Sequence, residues 1–319
     1  MPNVAASTTE PVRIGLVGAG YWAKTMHAPL HSTGRQTALT GIWSPHPERA
    51  RQLASEFGVP AFDGFRQLLD ASEAVDFAVP PAVQGELAVE AAEAGKALML
   101  EKPLGATLDQ AERLVRTVAR HSVPTIVVFT KRFHSRTRDF LARAAEHAAG
   151  SPPIAVTGRY VHGGLLDSGF LDASARGGWR RELGVLFDLG PHLLDLVDAA
   201  SGPIVSIRAS GDPHEAVVLA TEHANGTYGQ LLLSGRVATA TALTDVDIYN
   251  HAGDLHYTTS GMDHEEVWPT LRTEFASAVR AGTPVTVDAA RALNAQRLVE
   301  AARLSFERRC PVTLTELSG

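Results

Sequence analysis

Gly18-x-Gly20-x-x-Ala23, the lysine of Glu101-Lys102-Pro103, and Asp188 with His192 four residues later are the residues of this chain whose types and spacing suit chemistry. Gly18 permits a tight turn, Gly20 lets backbone approach a pyrophosphate, and the small Ala23 lets a helix pack closely on the preceding strand. The motif follows an apolar run at Val12–Val17, so Tyr21, Trp22 and Ala23 would open a helix whose N-terminus faces the phosphates of a dinucleotide. Lysine is scarce, only Lys24, Lys96, Lys102 and Lys131, and one placed directly after an apolar strand suits a site better than surface decoration. Beside a developing alkoxide its ammonium would stabilise charge and fix geometry. Histidine titrates near neutral pH, which makes His192 the candidate acid/base for a carbinol oxygen while hydride moves at the carbon. Asp188 would share a helix face with His192 and could orient the imidazole or hold a substrate hydroxyl. Pro191 between them leaves the start of that helix open.

The second strand of a dinucleotide fold that takes NAD normally ends in an acidic residue for the ribose 2′-hydroxyl. From Lys24 to Pro47 this chain has neither Asp nor Glu. Ser44, His46 and Arg49 could accept a 2′-phosphate instead, since a guanidinium suits that group. NADP(H) is therefore favoured and NAD(H) remains open, as does a solvated role for Arg49.

The elements that must position these residues alternate in the first half. Strands are expected at Val12–Val17, 38–43, 75–79, Ala97–Leu100 and 125–129, with helices at Pro47–Phe57, 65–69, 84–94 and 108–120 between them. Solid apolar strands separated by helices predict a doubly wound α/β Rossmann domain. Beyond it a helix at 136–148 gives way to five runs of alternating character, at 154–161, 204–209, 217–222, 227–233 and 246–250. They predict a C-terminal α+β domain on a mainly antiparallel open sheet. A mobile Gly/Asp/Ser-rich loop is expected at 163–178, then helices at 183–200, 269–281 and 288–307. The expected division is a flexible tail at 1–10, a cofactor domain at 11–130 and a substrate-binding and oligomerisation domain at 131–319.

With 29 basic against 35 acidic residues, nothing draws the protein toward nucleic acid or anionic lipid. No run approaches the ~20 apolar residues of a membrane span, and residues 1–11 read as a loose tail without signal-peptide character. The single cysteine, Cys310, fits a reducing compartment, hence the cytoplasm. No metal site is expected, because His251, His256, His264 and Glu265 lack ligand spacing.

Three motifs in order, G-x-G-x-x-A, E-K-P some eighty residues later, and Asp188-Leu189-Gly190-Pro191-His192-Leu193-Leu194-Asp195, resemble the glucose–fructose oxidoreductase / inositol dehydrogenase (Gfo/Idh/MocA) family. The resemblance runs from Val12 to about Leu314. It implies a Rossmann domain followed by a domain whose open sheet makes a homodimer or homotetramer, and sugar, cyclitol or related polyol or ketone substrates. It places Lys102 at the nicotinamide and substrate hydroxyl, often before a cis proline, with Asp188 and His192 completing the site and Pro80, Glu101 and Pro103 beside the cofactor. A basic–aromatic pair often leaves the last Rossmann strand, here in Lys131-Arg132-Phe133-His134, so Arg132 is a candidate substrate contact; His162, Trp179 and Arg180 are others. One departure is that Gly85, in Pro80-Pro81-Ala82-Val83-Gln84-Gly85, stands where many members carry histidine. The leading expectation is an NADP(H)-dependent oxidoreductase of a secondary alcohol or ketone. The alternatives are an NAD-dependent glycosidase of the same fold and a non-catalytic NADP(H) redox sensor.

Overall fold

The computed structural model describes residues 10–33 and 35–317, so nine of the ten residues of the expected tail lie outside the described residues. Strands β1 (Val12–Val17), β2 (Thr37–Trp43), β3 (Ala74–Phe77), β4 (Ala97–Leu100) and β5 (Thr125–Val127) form a parallel sheet in the order β2-β1-β3-β4-β5. Every residue of β3, β4 and β5 is buried, as a sheet covered by helices on both faces requires. The chain winds outward from β1 in one direction and returns to its other side at β3. In such a sheet the crevice beyond the carboxyl ends at this reversal is where ligands bind.

Seven strands form the second sheet: β6 (Ala155–Val161), β7 (Ile204–Asp212), β8 (Ala216–His223), β9 (Tyr228–Ser234), β10 (Leu243–Asn250), β11 (Gly253–Thr258) and β12 (Val312–Thr313). Their order is β11-β10-β6-β9-β8-β7-β12, and all neighbours are antiparallel except β6 and β9. Two strands beyond the expected five are present. β11 has only Leu255 and Tyr257 as buried apolar residues and is held by its hairpin to β10, while β12 is two residues long; neither carries a readable apolar run. Val217, Leu219 and His223 of β8 point inward while Val218, Ala220 and Glu222 point to solvent, the alternation of a sheet with one covered face.

The long helix Trp179–Ser201 covers the inner face and carries Asp188 and His192. It is broken at Gly184, whose φ of 72° suits glycine and whose Cβ, if present, would lie 2.3 Å from the Pro213 carbonyl oxygen. The helix expected from 183 therefore starts afresh after the break, with Pro191 inside it. The late helices Val267–Ala281 and Ala289–Arg308 span both cores: Val267, Leu271, Phe275 and Leu293 join the buried cluster of the Rossmann sheet, while Leu298, Val299 and Ala302 join that of the second. Val127 N–H donates to the Val287 carbonyl at 2.9 Å, which brings this return segment beside β5.

Candidate active site

Lys102 lies just past β4, and Asp188 on the long helix. The Lys102 ammonium donates to the Asp188 carboxylate Oδ1 at 2.8 Å and to its carbonyl oxygen at 2.7 Å, with both residues buried. Arg180, on the short turn before the Gly184 break, donates from Nε to the same Oδ1 at 3.2 Å. Burial alone would raise the Asp188 carboxyl; Lys102 and Arg180 outweigh it and hold the group well below the usual carboxylate range. The Arg180 guanidinium lies 4.4 Å from the Trp179 ring centre and 5.4 Å from that of Trp22 beside the glycine turn, and Lys102 lies 5.6 Å from Trp179. Two tryptophans and three charges thus bring the glycine turn, the loop after β4 and the long helix to one point, and sequence spacing could not reveal that Arg180 reaches Asp188.

His192 completes the group from the next turn of the helix. Its ring meets Phe129 and Tyr160 edge-on, at 5.5 and 6.0 Å between centres. Among the described residues its Nδ1 is buried without a hydrogen-bond partner. Burial, then the nearby Lys131 and Lys102 ammoniums, push the imidazole well below its ordinary pKa, so it is neutral at pH 7. His162 on the loop after β6 accepts from Gly164 N–H at 2.9 Å, and burial brings it down to about 4. The expected loop at 163–178 contains one helical turn, Ala173–Arg176, pinned where Arg176 donates to the Leu171 carbonyl at 2.5 Å.

The glycine turn offers room for a dinucleotide. Gly18 has a φ of 124° and lies so near Ala78 that a Cβ would meet its carbonyl oxygen at 2.3 Å, whereas a Cβ on Gly20 would enter open space. That space, the start of the helix at Tyr21, and the buried unpartnered indole Nε1 of Trp22 fit a bound pyrophosphate and its neighbours. After Trp22 the helix opens into one π-turn, Ala23–His27, a feature frequent at functional sites. His27 then faces the buried Asp76 of β3 at 2.9 Å through Nδ1 and Glu101 at 3.2 Å through Nε2, while His31 reaches Asp76 at 3.0 Å. Glu101 accepts from the Lys102 N–H at 3.1 Å. Neither His27, His31 nor Asp76 stood out in the sequence, because nothing in one dimension pairs residues 45 and 49 positions apart.

The residue before Gly85 is the one that reaches the loop of Lys102. Gln84 is fully buried; its Oε1 accepts from Glu101 N–H at 2.9 Å and its Nε2 donates to the Glu101 carbonyl at 2.7 Å. A Cβ on Gly85 would instead meet Gln110 at 3.1 Å. The helix begins at Pro81, three residues before the expected start and directly after Pro80, and this turns position 84 toward the loop of Lys102, whose peptide bond to Pro103 is cis.

Ser44 at the end of β2 is buried and accepts from His46 N–H at 3.2 Å; His46 is exposed, and so is Arg49 on the following helix, which has no ion-pair or hydrogen-bond partner among the described residues. Arg132 does not join the group around Lys102. Its guanidinium donates at 2.5 Å to Asp195, which also accepts from Arg291, an internal ion-pair cluster behind the site. The basic residue of that segment which comes forward is Lys131. Among the described residues no cluster of three or more His, Cys, Asp or Glu is placed to hold a metal ion, and no helix is long and apolar enough to cross a membrane.

Residues 12–129 match the family described as oxidoreductase family, NAD-binding Rossmann fold. The chain is 27% identical over 185 residues to glucose-6-phosphate 3-dehydrogenase of Bacillus subtilis, covering 58% of this chain and 52% of that protein. It is 26% identical over 167 residues to D-xylose 1-dehydrogenase [NADP(+)] of Haloarcula marismortui, 50% of this chain and 45% of the other. It thus spans about half the length of these curated relatives. A crystal structure of GenD2 from gentamicin A biosynthesis in complex with NAD superposes with a TM-score of 0.85 at 19% identity, over 98% of this chain and 99% of that one. An apo scyllo-inositol dehydrogenase from Lactobacillus casei does so with a TM-score of 0.82, also at 19%, over 97% and 99%. At these identities the structural likeness is one of fold.

Proposed function

From the match of residues 12–129 to the Gfo/Idh/MocA oxidoreductase family, we propose that this chain transfers hydride between a nicotinamide cofactor and a secondary alcohol or ketone of a sugar, cyclitol or related small molecule. The observation that carries the reading is the pairing of Lys102 with Asp188 beside the neutral His192, joined to Trp22 of the glycine turn through Arg180. A bound nicotinamide supplies the hydride acceptor or donor. Gly18, Gly20, Tyr21, Trp22 and Ala23 would hold the dinucleotide phosphates, and Pro80 with Glu101, Lys102 and Pro103 would lie on the nicotinamide side. Lys102 spends two of its ammonium hydrogens on Asp188 and keeps a third for the substrate oxygen, stabilising negative charge as the hydroxyl proton leaves. His192, neutral and with Nδ1 enclosed, accepts that proton through Nε2 in oxidation and returns it in reduction. Arg180 and the two tryptophans keep water from the reacting carbon, and His162 and Trp179 line the substrate's side.

The cofactor favoured is NADP(H): β2 runs into Ser44 without a carboxylate, and Arg49 on the following helix is exposed and, among the described residues, unpaired. A chain with one free cysteine and this fold fits a reducing cytoplasm. Titration of the purified protein with NADPH and with NADH, followed by thermal shift, tests the preference, since a ligand of the native state raises apparent stability. Equal affinities would remove the argument from Ser44 and Arg49. Lys102→Met should leave cofactor affinity within about twofold while turnover of a substrate polyol falls by about 10²-fold or more; near-normal turnover would remove Lys102 from the reaction.

A further inference from the structure

Lys131 is a buried ammonium without a carboxylate. It follows β5 in the turn Thr130–Phe133, is 7% exposed, and among the described residues neither donates a hydrogen bond nor forms an ion pair. Its Nζ instead sits 3.6 Å from the centre of the Tyr160 ring, whose edge meets His192 and His162. A cation over an aromatic face gains far less than a buried cation loses on leaving water. The charges facing it do not make up the difference. Lys102 repels it, Asp188 attracts it but is already shared between Lys102 and Arg180, and His162 and His192 are held neutral by burial. His264, from the segment before the helix Val267–Ala281, is also pushed below its ordinary value, by its own burial first and then by Lys131. The corner formed by Lys102, Lys131 and Arg180 therefore holds one carboxylate against three basic side chains.

Resting on the oxidoreductase reading and narrowing its substrate, we propose that Lys131 is the seat of an anionic group on the substrate, so that this site takes a sugar or cyclitol bearing a carboxylate or a phosphate in preference to a neutral one. The amine is ordinarily charged far above neutral pH, but burial and the neighbouring Lys102 bring it to about 7. An anion arriving beside it restores the charged form, so binding takes up a proton above neutrality and weakens as pH rises. Arginine at this position would keep the charge at every pH. Tyr160 serves as the platform that holds the ammonium in place before substrate arrives, and Lys102 remains free for the reacting oxygen.

The experiment is calorimetric binding of D-glucose, D-glucuronate and glucose 6-phosphate to the cofactor-loaded protein, to Lys131→Met and to Lys131→Arg, at pH 6.5 and 9. The wild type should bind at least one of the two charged sugars about tenfold or more tightly than glucose at pH 6.5. That preference should shrink at pH 9, vanish in Lys131→Met, and persist at both pH values in Lys131→Arg. Whether glucuronate or glucose 6-phosphate shows it separates a carboxylate from a phosphate. If no charged sugar binds more tightly than glucose, or if the preference survives in Lys131→Met, the proposal is overturned. Cofactor affinity, measured separately, should be the same in all three proteins; its absence from the wild type would strike the oxidoreductase reading and leave the anion preference to be judged on the sugars alone.

Discussion

Asp76 sits wholly buried in the middle strand of the first sheet and takes up both His27 and His31 beneath the loop that carries Lys102. Burial would depress the His27 imidazolium, but Asp76 and Glu101 outweigh it and hold its pKa at about 10. The two buried groups His27 and Lys131 are therefore perturbed in opposite senses. A histidine whose folded pKa lies above its unfolded value stabilises below that unfolded value and loses its contribution as pH climbs toward 10. A lysine whose folded pKa has fallen to about 7 destabilises while it must shed its proton to fold, and the penalty fades as pH climbs from 7 toward 10.5. Over pH 7–10 the two slopes offset each other, so melting temperature should change little in the wild type. Lys131→Met should expose a falling slope with rising pH, and His27→Gln a rising one. His27→Gln should also cost about 3 kcal/mol at pH 7, because Asp76 loses one partner in a site closed to water. Melting temperature against pH for the three proteins checks this, and parallel curves would show that neither group titrates as its surroundings imply.

Within the elements, the first turn of the nucleotide fold separates two glycines by cause. Gly18 is required by backbone conformation and by the approach of Ala78, whereas Gly20 faces open space and is required only by what fills that space. Gly20→Val should consequently leave the melting temperature of the cofactor-free protein nearly unchanged while weakening NADPH binding by about tenfold or more, as a branched side chain displaces the pyrophosphate. Fluorescence titration with an unfolding curve for each protein separates the effects; an unaltered affinity would move the phosphates away from Gly20. The helix Pro81–Glu93 shows how an element boundary decides a contact, since a start at Pro81 is what directs Gln84 into the loop of Lys102 and leaves Gly85 against Gln110.

On the scale of the molecule, the second sheet keeps its inner face for the long helix and presents Val205, Val218, Tyr228, Leu232 and Tyr249 outward from β7, β8, β9 and β10. Apolar side chains spread over one exposed face of a sheet are the surface expected of a contact between copies. We propose that this face carries a homodimer or a homotetramer. Light scattering should find the wild type larger than its 33.9 kDa chain and Leu232→Asp shifted toward a single chain. A wild type that runs as one chain would discard that assembly. Substrate access is compatible with it, because Lys102, Asp188 and His192 gather at the opposite, helix-covered side of the sheet.

The amino-acid sequence by itself determined what depends on neighbours along the chain. Apolar runs bounded by turn residues placed the five parallel strands, because a strand buried on both faces is predominantly apolar, Asp76 of β3 being the buried charged exception that its two histidines satisfy. The glycine spacing placed the nucleotide turn, because a positive φ and a close backbone approach exclude other residues. Lys102, Asp188 and His192 came forward through the motifs that carry the family resemblance, together with what a lysine, a carboxylate and an imidazole can do at a carbinol oxygen. Tertiary structure alone decided the partners. Arg132 and Lys131 are adjacent basic residues, yet one is consumed by Asp195 and the other comes forward to Tyr160, a choice set by which side of the turn Thr130–Phe133 meets the long helix. The network of His27, His31, Asp76 and Glu101, the reach of Arg180 across to Asp188, and the two weakly apolar strands β11 and β12 were likewise invisible. Each depends on residues far apart in sequence, and in each the energy resides in burial and pairing that local pattern does not encode.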